Sequence, residues 1–169
     1  WKTMQFIDLG AQQDRIRERI NTRIQSVLDH GKYIMGPEVL ELEKRLAGYV
    51  GTKHAISCAS GTDALLLALM AKGVGRGDAI ITSTFTFIAT AEVISLLGAT
   101  PIFVDIDRET YNIDPKEIER AVKDAQKKEL KVKGIIPVDL FGLPADYSAI
   151  LPIAEAHNLF ILSDAAQSF

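Results

Sequence analysis

The chain has 169 residues, with 19 Lys and Arg against 22 Asp and Glu, a formal net charge of −3, and 47% hydrophobic residues. This composition is typical of globular proteins. It excludes intrinsic disorder and gives no support to wholesale nucleic-acid binding, which favours a basic surface. The single cysteine, Cys58, excludes an internal disulfide framework and a Cys-rich zinc site. Its apolar neighbours predict a small buried residue in a reduced, cytoplasmic protein.

Neither a signal peptide nor a membrane span is predicted. Charged residues recur through the first 23 positions and leave no apolar block for a signal peptide. Residues 79–104 are weakly charged, but polar residues, a glycine and a proline divide them into pieces shorter than the roughly 20 residues that a bilayer needs. Because the sequence starts at Trp1 and ends at Phe169 directly after a strand pattern, we expect a fragment.

Two amphipathic helices are predicted before any strand. Apolar residues recur every three or four positions from residue 13 to residue 30, and Gly31 is expected to end that helix. Pro37 suits the first turn of a second helix, whose apolar positions continue toward Gly51. These helices form the first predicted region, residues 1–50, and residues 51–169 form the second.

From residue 54 onward, short apolar runs alternate with helical patterns, which is typical of repeated β-α-β units. Because several runs are continuously apolar, they predict strands that are buried on both faces. We therefore expect an α/β fold with a mostly parallel sheet and helices on both faces. The predicted strands cover residues 54–58, 79–83, 101–105, 134–138 and 159–163. The predicted helices cover residues 62–72, 87–97, 114–125 and 146–157. The Lys-rich residues 126–133 are expected to be a solvated connection.

The loop after the first predicted strand has the features of an anion site, and ligands of open parallel sheets bind beyond the carboxyl ends of strands. Ser60, Gly61 and Thr62 form a small-residue turn that opens an apolar helix. Free N–H groups and the helix dipole attract anions there, and Gly61 allows a close approach. The same residues also suit an ordinary helix cap, so both interpretations stay open. The Gly-Lys-Ser/Thr signature of a P-loop is missing.

Later strand ends carry aromatic and acidic residues. Phe85 and Phe87 follow the second predicted strand, where one of them could stack on a flat ring. Asp105 and Asp107 follow the third. A loop or capping role is favoured for them over the metal-binding Asp-x-Asp of glycosyltransferases. Asp164 lies directly beyond the fifth strand, where its charge needs a partner, either a metal ion or a protonated heterocyclic nitrogen.

A phosphate cradle, a stacking aromatic and an isolated aspartate at one sheet edge are what pyridoxal 5′-phosphate (PLP) requires. The chain also resembles the amino-terminal part of the large domain of the DegT/DnrJ/StrS-type sugar aminotransferases, fold-type-I PLP enzymes that aminate nucleotide-linked keto-sugars. The resemblance spans nearly the whole chain and rests on the order and spacing of Gly36-Pro37-Glu38-Val39, Ser60-Gly61-Thr62-Asp63-Ala64-Leu65, Gly77-Asp78, Thr84-Phe85-Thr86-Phe87-Ile88-Ala89-Thr90, Gly98-Ala99-Thr100-Pro101, Val104-Asp105-Ile106-Asp107, Phe141-Gly142 and Asp164-Ala165-Ala166-Gln167-Ser168-Phe169.

The resemblance implies a set of cofactor contacts and no metal ligand. The residues that it assigns to the cofactor are Gly61, Thr62, Asp63, Phe87, Asp164 and Gln167. Backbone N–H groups of the first three would hold the phosphate, and the aromatic side chain would stack on the ring. The carboxylate would pair with the pyridinium nitrogen and keep it protonated, so that the ring can accept an electron pair. The glutamine amide would bond the ring 3′-oxygen.

The resemblance further implies transfer of an amino group from glutamate, or a similar donor, to a nucleotide-linked keto-sugar in amino-sugar and cell-surface polysaccharide biosynthesis. A homodimer is implied as well. The family's Schiff-base lysine lies beyond the aspartate motif and is not in this chain, so the rest of the large domain and the small domain are expected to be absent too.

Two alternatives stay open at this point. One is a sugar 3-dehydratase of the same fold, which uses the aminated cofactor (PMP) and carries His in place of the lysine. The other is a non-catalytic relative that binds only the cofactor or a sugar nucleotide. The chain also departs from the family at Asp139, Leu143 and Ser163, where members often carry His, Gln and Glu.

Overall fold

The computed structural model describes residues 6–168. The chain divides into two compact units, Trp1–Ser57 and Cys58–Phe169. The expectations that rest on Trp1 and Phe169 lie outside the described residues, and the boundary after residue 50 stays a prediction. None of the helices within residues 6–168 combines the length and the apolar composition that crossing a membrane requires.

The first unit contains the two predicted helices, α1 (Leu9–His30) and α2 (Pro37–Val50). The predicted ends are confirmed, although α1 begins earlier than its apolar pattern because the Asp8 side chain caps the N–H of Ala11 at 2.9 Å. Gly31 follows α1 in the left-handed conformation, with φ at 64°, and its N–H bonds the Val27 carbonyl. Neither helix has a buried residue.

The prediction of a first strand at residues 54–58 is wrong. Within the described chain this segment pairs with no strand, and Ile56 is 86% exposed. Its polar groups are instead satisfied locally, since Thr52 bonds His54 and the carboxylate of Glu43 accepts from the Ser57 N–H at 2.8 Å. Cys58 is exposed, so the expected small buried residue is wrong as well. An apolar run favours extended backbone, but it does not supply a partner strand.

The second unit is built on a four-stranded sheet in the order β2-β1-β3-β4, with every pairing parallel. The predicted parallel α/β fold is therefore confirmed. The strands are β1 (Asp78–Ser83), β2 (Thr100–Val104), β3 (Lys131–Ile136) and β4 (Phe160–Ile161). The helices are α3 (Gly61–Ala71), α4 (Ala89–Leu96), α5 (Pro115–Lys127) and α6 (Tyr147–Ala156).

Helices cover both faces of this sheet, as the continuous apolar strands predict. Successive strand residues point to opposite faces, so Ile80 and Ile81 belong to different cores. One core joins Ile80 and Ile136 to apolar residues of α3 and α4, namely Leu65, Leu69, Val93 and Ile94. The other joins Ile81 and Ile135 to apolar residues of α5 and α6, namely Ile118, Val122, Ile150 and Ala154.

A glycine lets β4 pack closely against β3. Gly134 pairs with Phe160, and a Cβ on Gly134 would lie 2.5 Å from a carbon of the Phe160 ring. The ring thus covers the bare backbone of its neighbour. This contact holds the short strand β4 in register, and β4 leads directly to Asp164.

The solvated connection expected at residues 126–133 is confined to residues 128–130, because α5 extends to Lys127 and β3 begins at Lys131. Lys133 instead forms a largely buried ion pair with Asp78 of β1, at 2.8 Å. Burial raises the pKa of Asp78, but hydrogen bonds from Lys133 and the Gly75 N–H, with the charge of Lys133, outweigh it and lower the pKa below its ordinary value. Asp78 is only 8% exposed, so its charge depends on this lysine.

Replacing Lys133 with Met should lower the free energy of unfolding by about 2 to 3 kcal/mol, because Asp78 would keep a buried charge without its partner. Urea unfolding of the full-length protein measures the loss, and Lys131→Met, on the exposed part of the same strand, should cost much less. A lowered pKa stabilises the fold above the ordinary Asp value of 3.8. The difference between wild type and Lys133→Met should therefore shrink as the pH falls below that value, and a constant difference would contradict this role for the pair.

Candidate functional site

The edge formed by the carboxyl ends of the strands holds Asp164 between fixed main-chain groups. Its N–H donates to the Pro137 carbonyl at 2.9 Å, and its own carbonyl accepts from the Asp139 N–H at 3.0 Å. These bonds form a parallel bridge between Val138 and Asp164, beyond the ends of β3 and β4. The position predicted for Asp164, directly after the last strand, is thereby confirmed.

The side chain of Asp164 is tied to the start of α4. The Thr90 hydroxyl donates to Asp164 Oδ2 at 2.8 Å, and Thr90 is 1% exposed. The hydroxyl oxygens of Thr86 and Thr90 lie 3.0 Å apart. Since Phe87 directly follows Thr86, the structure brings the loop that carries this aromatic side chain next to the carboxylate. Phe87 is 70% exposed and so lies open to solvent.

The orientation of the Gln167 amide is fixed by a backbone donor. The N–H of Phe141 donates to Gln167 Oε1 at 2.7 Å. An N–H can bond only the amide oxygen, so the assignment of oxygen and nitrogen is settled and Nε2 is left to donate. Phe141 reaches this position with φ at 55°, a left-handed conformation that is costly for an aromatic residue. Gln167 lies in a turn, three residues after Asp164.

The loop that the sequence predicts as an anion site forms the capped N-terminal end of α3. Ser60 Oγ accepts from the Asp63 N–H at 3.1 Å and donates to Asp63 Oδ2 at 3.0 Å. The N–H groups of Gly61 and Thr62 precede the first intrahelical bond, which joins the Ala64 N–H to the Ser60 carbonyl. Apart from its chain neighbours and the backbone of its own helix, a Cβ added to Gly61 would meet no atom of residues 6–168 within 4 Å, so there is space beside this helix end.

Within residues 6–168, no hydrogen bond links this helix end to the group around Asp164. The two parts are related through the sheet instead, because α3 and α4 pack side by side on the same face. The structure thus joins Phe87, Asp164 and Gln167 by short contacts between their segments and leaves Gly61, Thr62 and Asp63 as a separate cluster.

Asp139 is the centre of a polar network that sequence reasoning missed. It is 5% exposed. Its Oδ1 accepts from the Ala145 N–H and the Tyr147 hydroxyl, and its Oδ2 accepts from Ser168 at 3.0 Å and Ser163 at 3.4 Å. Burial raises the pKa of Tyr147 to about 12, with a further contribution from the charge of Asp139. The network fixes the turn at residues 164–168, and the only sequence signal for it was an acid directly after a strand.

The other aromatic and acidic candidates have structural roles. The Phe85 ring packs against Tyr111 and Phe141, with centroids 5.9 and 6.3 Å away. Asp107 Oδ1 accepts from the N–H groups of Glu109 and Thr110 and from the Thr110 hydroxyl, and these bonds lower the pKa of Asp107. In the described part of the chain, no cluster of three His, Cys, Asp or Glu side chains is placed to hold a metal ion.

This fold and edge define an α/β protein with a parallel sheet, whose strand ends carry a capped helix end and a fixed carboxylate. In proteins of this class, ligands bind beyond the carboxyl ends of the strands. The model of the DegT/DnrJ/EryC1/StrS aminotransferase family matches residues 14–169, and the chain belongs to this family. The resemblance inferred from the sequence motifs is confirmed.

Known proteins that are similar to this chain support the same assignment. A UDP-2-acetamido-2-deoxy-3-oxo-D-glucuronate aminotransferase of Pseudomonas aeruginosa is 54% identical over 166 residues, which are 98% of this chain and 45% of that protein. A crystal structure of a DegT DnrJ EryC1 StrS aminotransferase from Brucella abortus has a TM-score of 0.95 and 53% identity, over 98% of this chain and 45% of its own.

A third similar protein was solved with a cofactor. The structure of NtdA from Bacillus subtilis with bound PMP has a TM-score of 0.88 and 33% identity, over 100% of this chain and 38% of its own. The chain therefore spans less than half the length of these relatives. The predicted fold class, that of the PLP-dependent transferases, is confirmed by these structures.

Asp139→Asn should lower the free energy of unfolding by about 2 kcal/mol, because an amide NH₂ would face donors that now bond both carboxylate oxygens. Asp107→Asn is the matched control: its bonds all go to one oxygen, which an asparagine keeps, so its cost should stay below about 0.5 kcal/mol. Urea unfolding of both variants measures the difference. Equal losses would show that the Asp139 network does not depend on its second oxygen.

Proposed function

We propose that the protein is a PLP-dependent aminotransferase that moves an amino group from glutamate, or a similar donor, to a nucleotide-linked keto-sugar. Family membership supports this proposal, as do the activities for which the relatives are named. The observation that carries it in this chain is Asp164, a carboxylate fixed at the sheet edge by main-chain bonds on both sides and by Thr90. A fixed acceptor of this kind is what a protonated ring nitrogen requires.

The open helix end fits a phosphate group. Gly61 and Thr62 offer N–H groups that the helix itself leaves free, next to the space where a Cβ would meet nothing. Asp63 is also assigned to the phosphate by the resemblance, but its N–H already bonds Ser60. We therefore give the larger share of the binding to Gly61 and Thr62, aided by the positive end of the helix dipole.

The remaining contacts suit a flat ring with a polar edge. The exposed ring of Phe87 would cover one face of the cofactor. The free Nε2 of Gln167 would donate to the ring 3′-oxygen, because Phe141 holds the amide in the required orientation. PLP, when bound, supplies an electron sink for the loss of an α-proton, and the carboxylate of Asp164 favours the protonated ring nitrogen that this sink needs.

The names of the relatives favour an aminotransferase over the sugar 3-dehydratase. In the family the cofactor-linked lysine follows the aspartate motif, and a dehydratase carries histidine at that position. The two activities are separated by an assay of the full-length protein with a nucleotide-linked keto-sugar and glutamate: amino-sugar product supports the transferase, and loss of a hydroxyl group supports the dehydratase. A protein that binds PLP but yields neither product would be the non-catalytic relative.

Asp164→Asn in the full-length protein should keep much of the PLP affinity but lower the turnover by about 100-fold or more, because a neutral amide does not hold the ring nitrogen protonated. Absorbance of bound PLP and amino transfer from glutamate are the two measurements. Asp105→Asn, an acid after another strand with no assigned cofactor contact, is the control and should turn over normally. Normal turnover in Asp164→Asn would contradict the electron-sink role.

We also propose that the protein is a cytoplasmic homodimer. The exposed apolar side chains of the first unit support a protein interface, since Ile24, Leu28 and Leu40 are each more than half exposed. In the family resemblance, the neighbouring subunit completes the active site. This makes α1 and α2 the candidate contact helices.

The full-length protein should sediment as a dimer at micromolar concentration, and Ile24→Glu should shift it toward monomer, because a charge would be buried in the interface. Ser26→Glu, which adds the same charge to the same helix away from the apolar stripe, should stay dimeric. Sedimentation velocity with a parallel activity assay tests both. A fully active monomer of the wild type would rule the proposal out.

A further inference from the structure

Two threonine hydroxyls form a chain of hydrogen bonds that ends at the carboxylate of Asp164. Thr86 and Thr90 are four residues apart, with their hydroxyl oxygens at 3.0 Å, and Thr90 reaches Asp164 Oδ2 at 2.8 Å. Thr90 lies in the first turn of α4, 74 positions before Asp164 in the sequence. The contact therefore joins two elements of the sheet edge that the sequence keeps far apart.

The direction of these hydrogen bonds follows from the donors available. A threonine hydroxyl has a single hydrogen, and Thr90 gives it to the carboxylate. Thr90 can then only accept from Thr86, so Thr86 is the donor of the first bond. Hydrogen bonds in such a chain polarise one another, which strengthens the bond from the Thr90 hydroxyl to Asp164 Oδ2.

The chain of hydroxyls leaves the two carboxylate oxygens unequal. Oδ2 accepts from Thr90, whereas Oδ1, among residues 6–168, has only a long contact of 3.4 Å with the Ala166 N–H. The backbone of Asp164 is already fixed by the bridge to Val138. With the backbone and one oxygen fixed, the side-chain torsion is fixed too, and Oδ1 is the oxygen left for a ligand.

We propose that Thr90, supported by Thr86, is a positioning residue that orients the Asp164 carboxylate toward the ring nitrogen of the cofactor. This inference rests on the proposed function. The hydroxyl, and not the volume of the side chain, performs the role, because valine would keep the shape of the side chain and lose only the hydrogen-bonding group that contacts Asp164 and Thr86. Without the hydroxyl, the carboxylate could turn away from the ring, and Thr86 would lose its acceptor.

Three variants of the full-length protein separate orientation from packing. Thr90→Val keeps the shape and removes the hydroxyl, while Thr90→Ser keeps the hydroxyl and removes a methyl group. Thr82→Val is the matched control, because Thr82 is 0% exposed and its hydroxyl donates to the Ile136 carbonyl at 3.0 Å, away from Asp164. The probe is PMP labelled with ¹⁵N at the ring nitrogen, which binds without a covalent link to the protein.

Thr90→Val should weaken PMP binding by about three- to tenfold, the usual loss for one hydrogen bond of this kind. The ¹⁵N resonance of bound PMP should also show ring-nitrogen deprotonation at a lower pH than in wild type. Thr90→Ser should match wild type in both measurements, even where its thermal unfolding temperature falls. Thr82→Val should lower the stability of the protein but alter neither the PMP affinity nor the ¹⁵N titration.

Two results would overturn the inference, and they are distinguishable. If Thr90→Val and Thr82→Val lose similar stability while both keep the wild-type affinity and ¹⁵N titration, Thr90 has only a structural role and the proposed function stands. If the wild-type protein binds neither PLP nor PMP, the proposed function fails, and the role of Thr90 fails with it.

Discussion

The parallel bridge between Val138 and Asp164 is the constraint on which the candidate site depends. It extends the pairing of β3 and β4 past the end of the regular strands, by two hydrogen bonds of 2.9 and 3.0 Å. Asp139 and Asp164 become neighbours there, and their side chains reach opposite faces of the sheet. Asp139 bonds Tyr147 at the start of α6, and Asp164 bonds Thr90 at the start of α4. One carboxylate is thus enclosed by protein donors, while the other keeps an oxygen for a ligand.

Two of the three departures from the family pattern belong to one of these two networks. Asp139 and Ser163 are two of the positions where relatives often carry His and Glu. In this chain they are in contact, both directly at 3.4 Å and through the hydroxyl of Tyr147, which lies 2.5 Å from Ser163 Oγ. The resemblance implies a basic and an acidic residue at these positions, whereas this chain places an acidic and a neutral one in contact within one polar network. The Asp164 carboxylate lies outside this network, since its hydrogen bonds go to Thr90 and to the Ala166 N–H.

The sequence predicts those features that depend on local pattern. Continuous apolar runs predicted the parallel sheet, and Pro37 predicted the start of α2, because burial and helix initiation depend on a few neighbouring residues. The prediction of a strand at residues 54–58 was wrong because a strand needs a second segment to pair with, and local pattern does not show that segment. In the candidate site, Asp164 was found from its place after a strand. The bond from Thr90 and the amide orientation of Gln167 depend on contacts across 74 and 26 positions, which no local pattern contains.

The bond between Phe141 and Gln167 also bears on the chemical ageing of the protein. Deamidation of Gln167 would replace Nε2 with an oxygen and leave Oε1 free to keep its bond to the Phe141 N–H. The resulting glutamate would keep its place in the turn, but its carboxylate would offer a negatively charged acceptor in place of the amide NH₂ donor. Such damage would escape an assay of folding, and the altered side chain would favour a donor at a position where the native amide favours an acceptor.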